Sequence, residues 1–424
     1  MNLRLSKGQL HSASIEAISS KSFVHRLLIA ASLSDSSVTI NTNIISKDME
    51  ATVGVLRALG ASIDVYEDKF VVNSPVLDTI QNNISLDCIE SGSTARFIMP
   101  IAALRDSEIT MTGQGKLPQR PFTELTDVLI NHGAVISDNH LPLTLKGPIT
   151  PGEYEIPGNV SSQYISGLLF ALPLLDKPSR LTITTNLESS GYVDMTLDVL
   201  KTFGITINRS GNVFDIPGGQ KYHGPRNIDA EGDWSNGAYL LTLAKVANML
   251  NPDINIRVTG LNDDSLQKDR AIKDIINSIK NENDSIDVDC SEIPDIVPAI
   301  AVLCSCLNSS SMLRNVERLR IKESDRIEST CALIGAIGAK CDVIKENNHE
   351  NLMIKGSWKD LHNIAQNGII IDSFNDHRIV MAAAIASLLT DETVIKDALA
   401  INKSYPGFFE ALSENLGMLV AESK

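Results

Sequence analysis

What most limits how this chain can fold is a junction that it repeats: a helix-like stretch, a glycine, then a short β-like stretch. It occurs as LRALGASIDV around Gly60, LINHGAVIS around Gly133, LKTFGITIN around Gly204, LIGAIGAKCDV around Gly338 and LSENLGMLV around Gly417. A glycine in that place takes the left-handed conformation that ends a helix, and the residues after it enter a strand. The intervals are 73, 71, 134 and 79 residues. The long interval has room for one more unit, and IKDIINSIKNENDSIDV (Ile272–Val288) fits there, an Asn-rich turn replacing the glycine. Six units of about 70 residues imply a modular α/β protein, and a 424-residue chain implies two to three domains.

A second helix type recurs in SKSFVHRLLIAASL, SGSTARFIMPIAAL, SSQYISGLLFALPL, SNGAYLLTLAK and DHRIVMAAAIASLL. Each opens with small or polar residues and continues as an almost wholly apolar helix, which must be a buried one. A polar start offers backbone N–H groups and hydroxyls to an anion where it faces a cleft. Aromatic residues make up only 4 % of the chain, so the core is built from Ile, Leu, Val and Ala.

The net charge of -15 argues against a general nucleic-acid or anionic-membrane surface, which needs a basic face. It leaves room for a local cationic cluster that binds a small anion. The six cysteines (Cys88, Cys290, Cys304, Cys306, Cys331, Cys341) form no CxxC pair, and are expected to be reduced, mostly buried thiols of a cytoplasmic protein, without a metal site. The first twenty residues show no apolar leader. The longest apolar runs, IVPAIAVLCSCL and IVMAAAIASLL, are shorter than the ~18 residues of a membrane span and read as buried core helices.

Basic and hydroxyl residues gather at the polar helix starts: Lys21, Ser22 and Arg26 in SKSFVHR, Arg96 after Gly92-Ser93-Thr94, Arg120 in LPQRPF, and Ser161, Ser162 and Gln163 in SSQ. Further along come Lys322, Glu323, Asp325 and Arg326 in IKESDR, Asp376, His377 and Arg378 in NDHR, and Lys403 in INKSYP. Taken singly, each has a structural explanation: a solvated surface cation, a charged helix start or an N-cap. Taken as an ordered set, each at the mouth of a repeated unit, they point to one ligand site.

That set resembles the EPSP synthase family of enolpyruvyl transferases, from about Ser20 to Pro406. SKSFVHR is similar to its SKS-x-x-x-R motif and ESGSTARF to its N-x-GT-x-x-R motif, while QRPF, SSQ, GDWS, IPD, IKESDR, NDHR and NKSYP follow in the family's order. The resemblance implies two similar domains, each of three βαβαββ units around buried helices (an inside-out α/β barrel). The expected domains are 1–18 with 228–424, and 19–227, with the active-site cleft between them. It also implies transfer of the carboxyvinyl group of phosphoenolpyruvate to the 5-hydroxyl of 3-phosphoshikimate, releasing phosphate, in the shikimate pathway of aromatic amino acid biosynthesis.

Carried over residue by residue, the resemblance assigns 3-phosphoshikimate to Lys21, Ser22, Arg26, Ser161, Ser162, Gln163, Ser189, Asp295 and Lys322. It assigns phosphoenolpyruvate to Lys21, Gly92, Arg120, Gln163, Arg326, Arg378 and Lys403, with Arg96 as an addition. Asp295 would take the hydroxyl proton, Glu323 would exchange the methylene proton, Lys21 would assist, and His377 would stand nearby. No metal or organic cofactor is implied; glyphosate is the implied inhibitor. A cytoplasmic monomer is expected, since no exposed apolar helix stands out. Three departures are visible: Glu90 and Arg318 stand where the family has Asn, and the segment before Ser20 lacks its Pro-Gly. Two other readings are disfavoured. A UDP-N-acetylglucosamine carboxyvinyltransferase usually carries a reactive Cys before the Arg-Pro pair, where GQGKLPQRP has none. An RNA-end cyclase needs a basic face.

Overall fold

The structure, a computed structural model, describes residues 1–74, 84–347, 349–358 and 368–423. The chain divides into two compact units, Ser19–Ala230 and Met1–Ile18 with Glu231–Lys424.

In the Ser19–Ala230 unit, three four-stranded sheets share one plan. Ile84–Asp87 and Ile109–Thr112 run parallel, then Leu143–Lys146 and Val135–Ile136 each join antiparallel. Glu153–Ile156, Ser179–Ile183, Val213–Ile216 and Asn208–Ser210 repeat the order. In the third sheet the first strand comes from the end of the unit: Asn227–Asp229 lies parallel to Val38–Asn41, followed by Lys69–Ser74 and Ser62–Tyr66. Parallel neighbours need a crossover helix. Helices α1 (Lys21–Leu33), α2 (Lys47–Ala58), α3 (Gly92–Ala102), α4 (Thr123–Asn131), α5 (Ser162–Ala171) and α6 (Ser190–Thr202) alternate with these strands.

The other unit contains α7 (Trp234–Leu250), α8 (Ile272–Ser278), α9 (Val297–Ser305), α10 (Arg326–Ala336), α11 (His377–Ala386) and α12 (Phe408–Leu416) among its described residues. Two of its sheets follow the same plan: Asp287–Asp289, Ser310–Arg314, His349–Lys355 and Lys340–Glu346, and Ile369–Asp372, Thr393–Lys396, Asn2–Ser6 and Leu419–Ser423. The third departs from the expected βαβαββ unit, being a parallel pair, Ile256–Thr259 with Ala13–Glu16.

The glycines explain both the regularity and the exception. Gly60, Gly133, Gly204, Gly338 and Gly417 all have positive φ, from +73° to +106°. The predicted sixth junction has no such residue. Ile279 leaves α8 in an extended conformation, and the Asp284 carboxylate accepts from the Lys280 and Asn281 N–H groups at 2.6 and 2.9 Å. The chain then enters Asp287–Asp289, the first strand of the next sheet, rather than a hairpin.

α1, α3, α5, α7 and α11 are the buried helices expected from their apolar runs, and α9 is a sixth, with all nine residues buried. Each unit therefore holds three. No helix among the described residues is long and apolar enough to cross a membrane.

Candidate active site

The buried helices begin differently in the two units. In Ser19–Ala230 the caps are hydroxyls: Ser20, Ser91 and Ser161 accept from the N–H groups of Phe23, Thr94 and Gln163. In the other unit α7 and α11 are capped by carboxylates, Asp233 accepting from Asn236 N–H and Asp376 from Arg378 N–H. A serine cap leaves the positive end of the helix dipole available to an incoming anion, whereas an aspartate cap already satisfies it. Of the five starts expected to favour an anion, three keep that property.

Around the serine-capped starts the cations outnumber the acids. Lys21 lies 2.7 Å from Asp48. Arg26 is buried; it donates to Thr196 Oγ1 (2.8 Å), the Ser22 carbonyl (2.7 Å) and the Tyr192 carbonyl (2.9 Å), and stacks on Phe97. Burial lowers its pKa to about 10. Its partners are all neutral, so the charge stays available to a phosphate. Ser189, at the start of α6, holds φ +53°, a left-handed conformation uncommon in a residue with a Cβ and typical of functional turns.

Gly92 is the first residue of α3. A Cβ built there would lie 2.8 Å from Arg96 Nη1 and 3.1 Å from Arg120 Nη1, so two guanidinium groups converge on the bare Cα. Arg96 also donates to Gln163 Oε1 at 2.7 Å, and Gln163 Nε2 donates to Ser93 Oγ at 2.7 Å. The Gln163 amide thus braces Arg96 against Ser93. Ser161 is the α5 cap, and Ser162 beside it is buried. The Glu90 carboxyl lies against Gly115, where an added Cβ would come within 2.7 Å of it. Gly115 holds φ +59° as well, so that turn needs glycine twice over.

In the other unit one guanidinium organises three carboxylates. Arg326, at the start of α10 and 1 % exposed, donates through Nη1 to Asp295 Oδ1 (2.8 Å), through Nη2 to Glu323 Oε2 (2.5 Å) and through Nε to Asp376 Oδ2 (2.8 Å). Lys322 Nζ reaches Asp295 Oδ1 at 3.5 Å, and Arg378 Nη2 lies 3.8 Å from Asp295 Oδ2. Burial opposes ionisation of Asp295, but Lys322, Arg378 and Arg326 together outweigh it and hold its carboxyl well below the usual range. Burial also lowers the Lys322 pKa, against the pull of Asp295. These three cations and three carboxylates balance, so this cluster attracts an incoming anion less than the serine-capped starts do. His377 is buried with Nδ1 3.9 Å from Asp376 Oδ1, Lys403 Nζ donates to the Asn375 carbonyl at 2.8 Å, and Arg318 lies in the 3-10 turn Glu317–Ile321 that leads to Lys322.

Comparison with known proteins decides what these residues belong to. The model of the family described as EPSP synthase (3-phosphoshikimate 1-carboxyvinyltransferase) matches residues 5–412. The chain belongs to the EPSP synthase family. It is 40 % identical to a 3-phosphoshikimate 1-carboxyvinyltransferase of Clostridium novyi, over 95 % of this chain and 94 % of that one. Identity to the protein of that name in Clostridium acetobutylicum is 37 %, over 93 % of each chain. In fold it is similar to EPSP synthase from Acinetobacter baumannii (TM-score 0.78, 20 % identity, all of both chains). It is also similar to the enolpyruvyl transferase NikO from Streptomyces tendae (TM-score 0.74, 14 % identity, 100 % and 99 % covered). The chain is thus a transferase of the shikimate pathway, moving the enolpyruvyl group from phosphoenolpyruvate to 3-phosphoshikimate.

Within this EPSP synthase family member the structure brings together residues that the motifs alone did not single out. Asp48 on α2 holds Lys21. Asn236 on α7 accepts from Arg378 Nη1 at 3.1 Å. Asp376, noted in NDHR without a role, anchors Arg326. The signal for Asp48 and Asn236 was slight, since each is a polar residue inside a helix whose partner is far away in sequence.

Proposed function

We propose the following division of labour for the transfer. Lys21, Ser22 and Arg26, with the hydroxyls of Ser161, Ser162 and Ser189, take up 3-phosphoshikimate. Gly92, Arg96 and Arg120 take up phosphoenolpyruvate, with Arg378 and Lys403 as further cations for it. Gln163 orients Arg96, and Arg326 orients the acid–base pair. The hydroxyl oxygen of the acceptor adds to C2 of phosphoenolpyruvate, giving its proton to Asp295, while the methylene carbon takes a proton from Glu323. Glu323 then removes a proton from that methyl carbon, and phosphate leaves.

The observation that carries this reading is Arg326, which holds Asp295 and Glu323 on its two Nη atoms at 2.8 and 2.5 Å. Two carboxylates oriented by one guanidinium suit a reaction that needs a proton taken at one atom and exchanged at another. Asp295 as it stands is a weak base. A bound anion competes for Lys322 and Arg378, loosens their hold and raises its basicity. Phosphate release from phosphoenolpyruvate tests the reaction: it is expected with 3-phosphoshikimate as acceptor and not with UDP-N-acetylglucosamine. The reverse preference would overturn the reading.

Glyphosate is proposed to compete at the Gly92 turn. Gly92 has no positive φ, so alanine is tolerated by the backbone, but its methyl displaces the Arg96 and Arg120 ends. Gly92→Ala is expected to raise the KM for phosphoenolpyruvate roughly tenfold, about 1.4 kcal/mol, and the glyphosate inhibition constant by more. Inhibition that is non-competitive with phosphoenolpyruvate, or equal in both proteins, would place Gly92 elsewhere. A cytoplasmic monomer is the setting we propose; four of the six cysteines are buried free thiols, as in reduced proteins.

A further inference from the structure

One buried histidine has no part in the proposed chemistry. His25 on α1 is fully buried, and burial, then Lys21 and Arg26, push its pKa well below the ordinary value, so the ring is neutral. Its Nδ1 lies 2.6 Å from Thr52 Oγ1 on α2. Thr52 Oγ1 lies 2.7 Å from Thr94 Oγ1 on α3, and Thr94 Oγ1 donates to Ser91 Oγ at 2.7 Å. His25 Nε2 is buried and has no hydrogen-bond partner.

Counting protons gives the line a direction. A threonine hydroxyl has one proton. Thr94 spends its proton on Ser91, so the 2.7 Å bond between Thr52 and Thr94 uses the proton of Thr52, whose other acceptor, the Asp48 carbonyl, stands further off at 3.4 Å. Thr52 then has none for the ring, and His25 is the donor through Nδ1–H. At the far end, Ser91 Oγ accepts twice, from the Thr94 hydroxyl and from the Thr94 N–H at 3.3 Å. Both its lone pairs are filled, which leaves it able only to donate. Ser91 is 1 % exposed and directly precedes Gly92, on which Arg96 and Arg120 converge.

We propose that His25, acting through Thr52 and Thr94, is a positioning residue that fixes Ser91 as a hydrogen-bond donor to the anion held at the Gly92 turn. Ser91 is thereby a further ligand-binding residue. The inference rests on the reading that phosphoenolpyruvate binds at that turn. Without the line, the Ser91 hydroxyl is free to rotate and donate elsewhere, and the anion loses one charge-assisted hydrogen bond.

Steady-state kinetics on Thr52→Val, Ser91→Ala and the double variant test it. Each is expected to raise the KM for phosphoenolpyruvate roughly tenfold, the size of one hydrogen bond to a charged group, with the KM for 3-phosphoshikimate unchanged. The double variant is expected to be no worse than either single one. Thr52→Ser keeps a hydroxyl and is expected to restore the wild-type value. Nitrogen-15 spectra of the imidazole are expected to show His25 protonated on Nδ1, a readout that stands even where Thr52→Val does not fold. A proton on Nε2, additive effects, or an unchanged phosphoenolpyruvate KM in Thr52→Val and Ser91→Ala would overturn the proposal. If Gly92→Ala raises that KM while these two do not, the relay alone fails. If Gly92→Ala also leaves it unchanged, the underlying assignment of the turn fails with it.

Discussion

Replacing Arg326 by methionine is expected to abolish turnover and to destabilise its unit by about 3–5 kcal/mol, the range for breaking a buried ion pair by removing one partner. Arg326 and Asp376 are 1 % and 0 % exposed. Methionine leaves the Asp376 carboxylate buried beside Ser324 and the Arg378 N–H, with no cation on the oxygen that Arg326 Nε held. Asp295 and Glu323 lose their common brace at the same time. The measurement is direct because both tryptophans, Trp234 and Trp358, lie in this unit, so urea unfolding followed by their fluorescence reports on it. Arg326→Lys keeps the charge but not the fork, and is expected to recover stability more than activity. An unchanged unfolding midpoint in Arg326→Met would show that the carboxylates do not depend on this guanidinium.

Glu323→Gln is expected to keep substrate binding and to slow turnover roughly 10²-fold or more, the usual cost of a lost general acid–base group. Glutamine matches the shape of glutamate and still accepts from Arg326, so the cluster is kept while the exchangeable proton is lost. Incorporation of solvent deuterium into the methylene carbon should fall in parallel, whereas binding of 3-phosphoshikimate by calorimetry should not. Near-normal turnover would remove Glu323 from the proton transfers.

Much of this fold was legible because its signals are local. A left-handed glycine, a serine cap and an apolar helix each announce themselves within a few residues, and the five glycine junctions are found where the repeat places them. α9 reads as an apolar core run but does not group with the other five in sequence, because it starts from Pro294-Asp295-Ile296 rather than from small hydroxyl residues. The reduced sixth unit is not legible locally, because SIDV resembles the strand of a hairpin and only pairing with Ser310–Arg314 reveals its destination. In the candidate site, the motifs name the cations but not the side chains that hold them. Arg326 was expected on phosphoenolpyruvate, yet four of its five N–H groups face carboxylates. Asp376, the deepest of those acids, lies 50 residues further along, a distance over which no periodicity carries information.

The borrowed strands also set an order of assembly. Asn2–Ser6 is an interior strand, bonded on one side to Thr393–Lys396 and on the other to Leu419–Ser423. During synthesis it is made long before either neighbour and finds no partner in its sheet until Thr393–Lys396 follows. The Ser19–Ala230 unit needs nothing beyond its own last strand, Asn227–Asp229. It can therefore close on the ribosome while its sister waits. A strand made early is thus among the last to be locked in place. Through that interval the waiting strand is an unsatisfied edge, the kind of segment that chaperones shield.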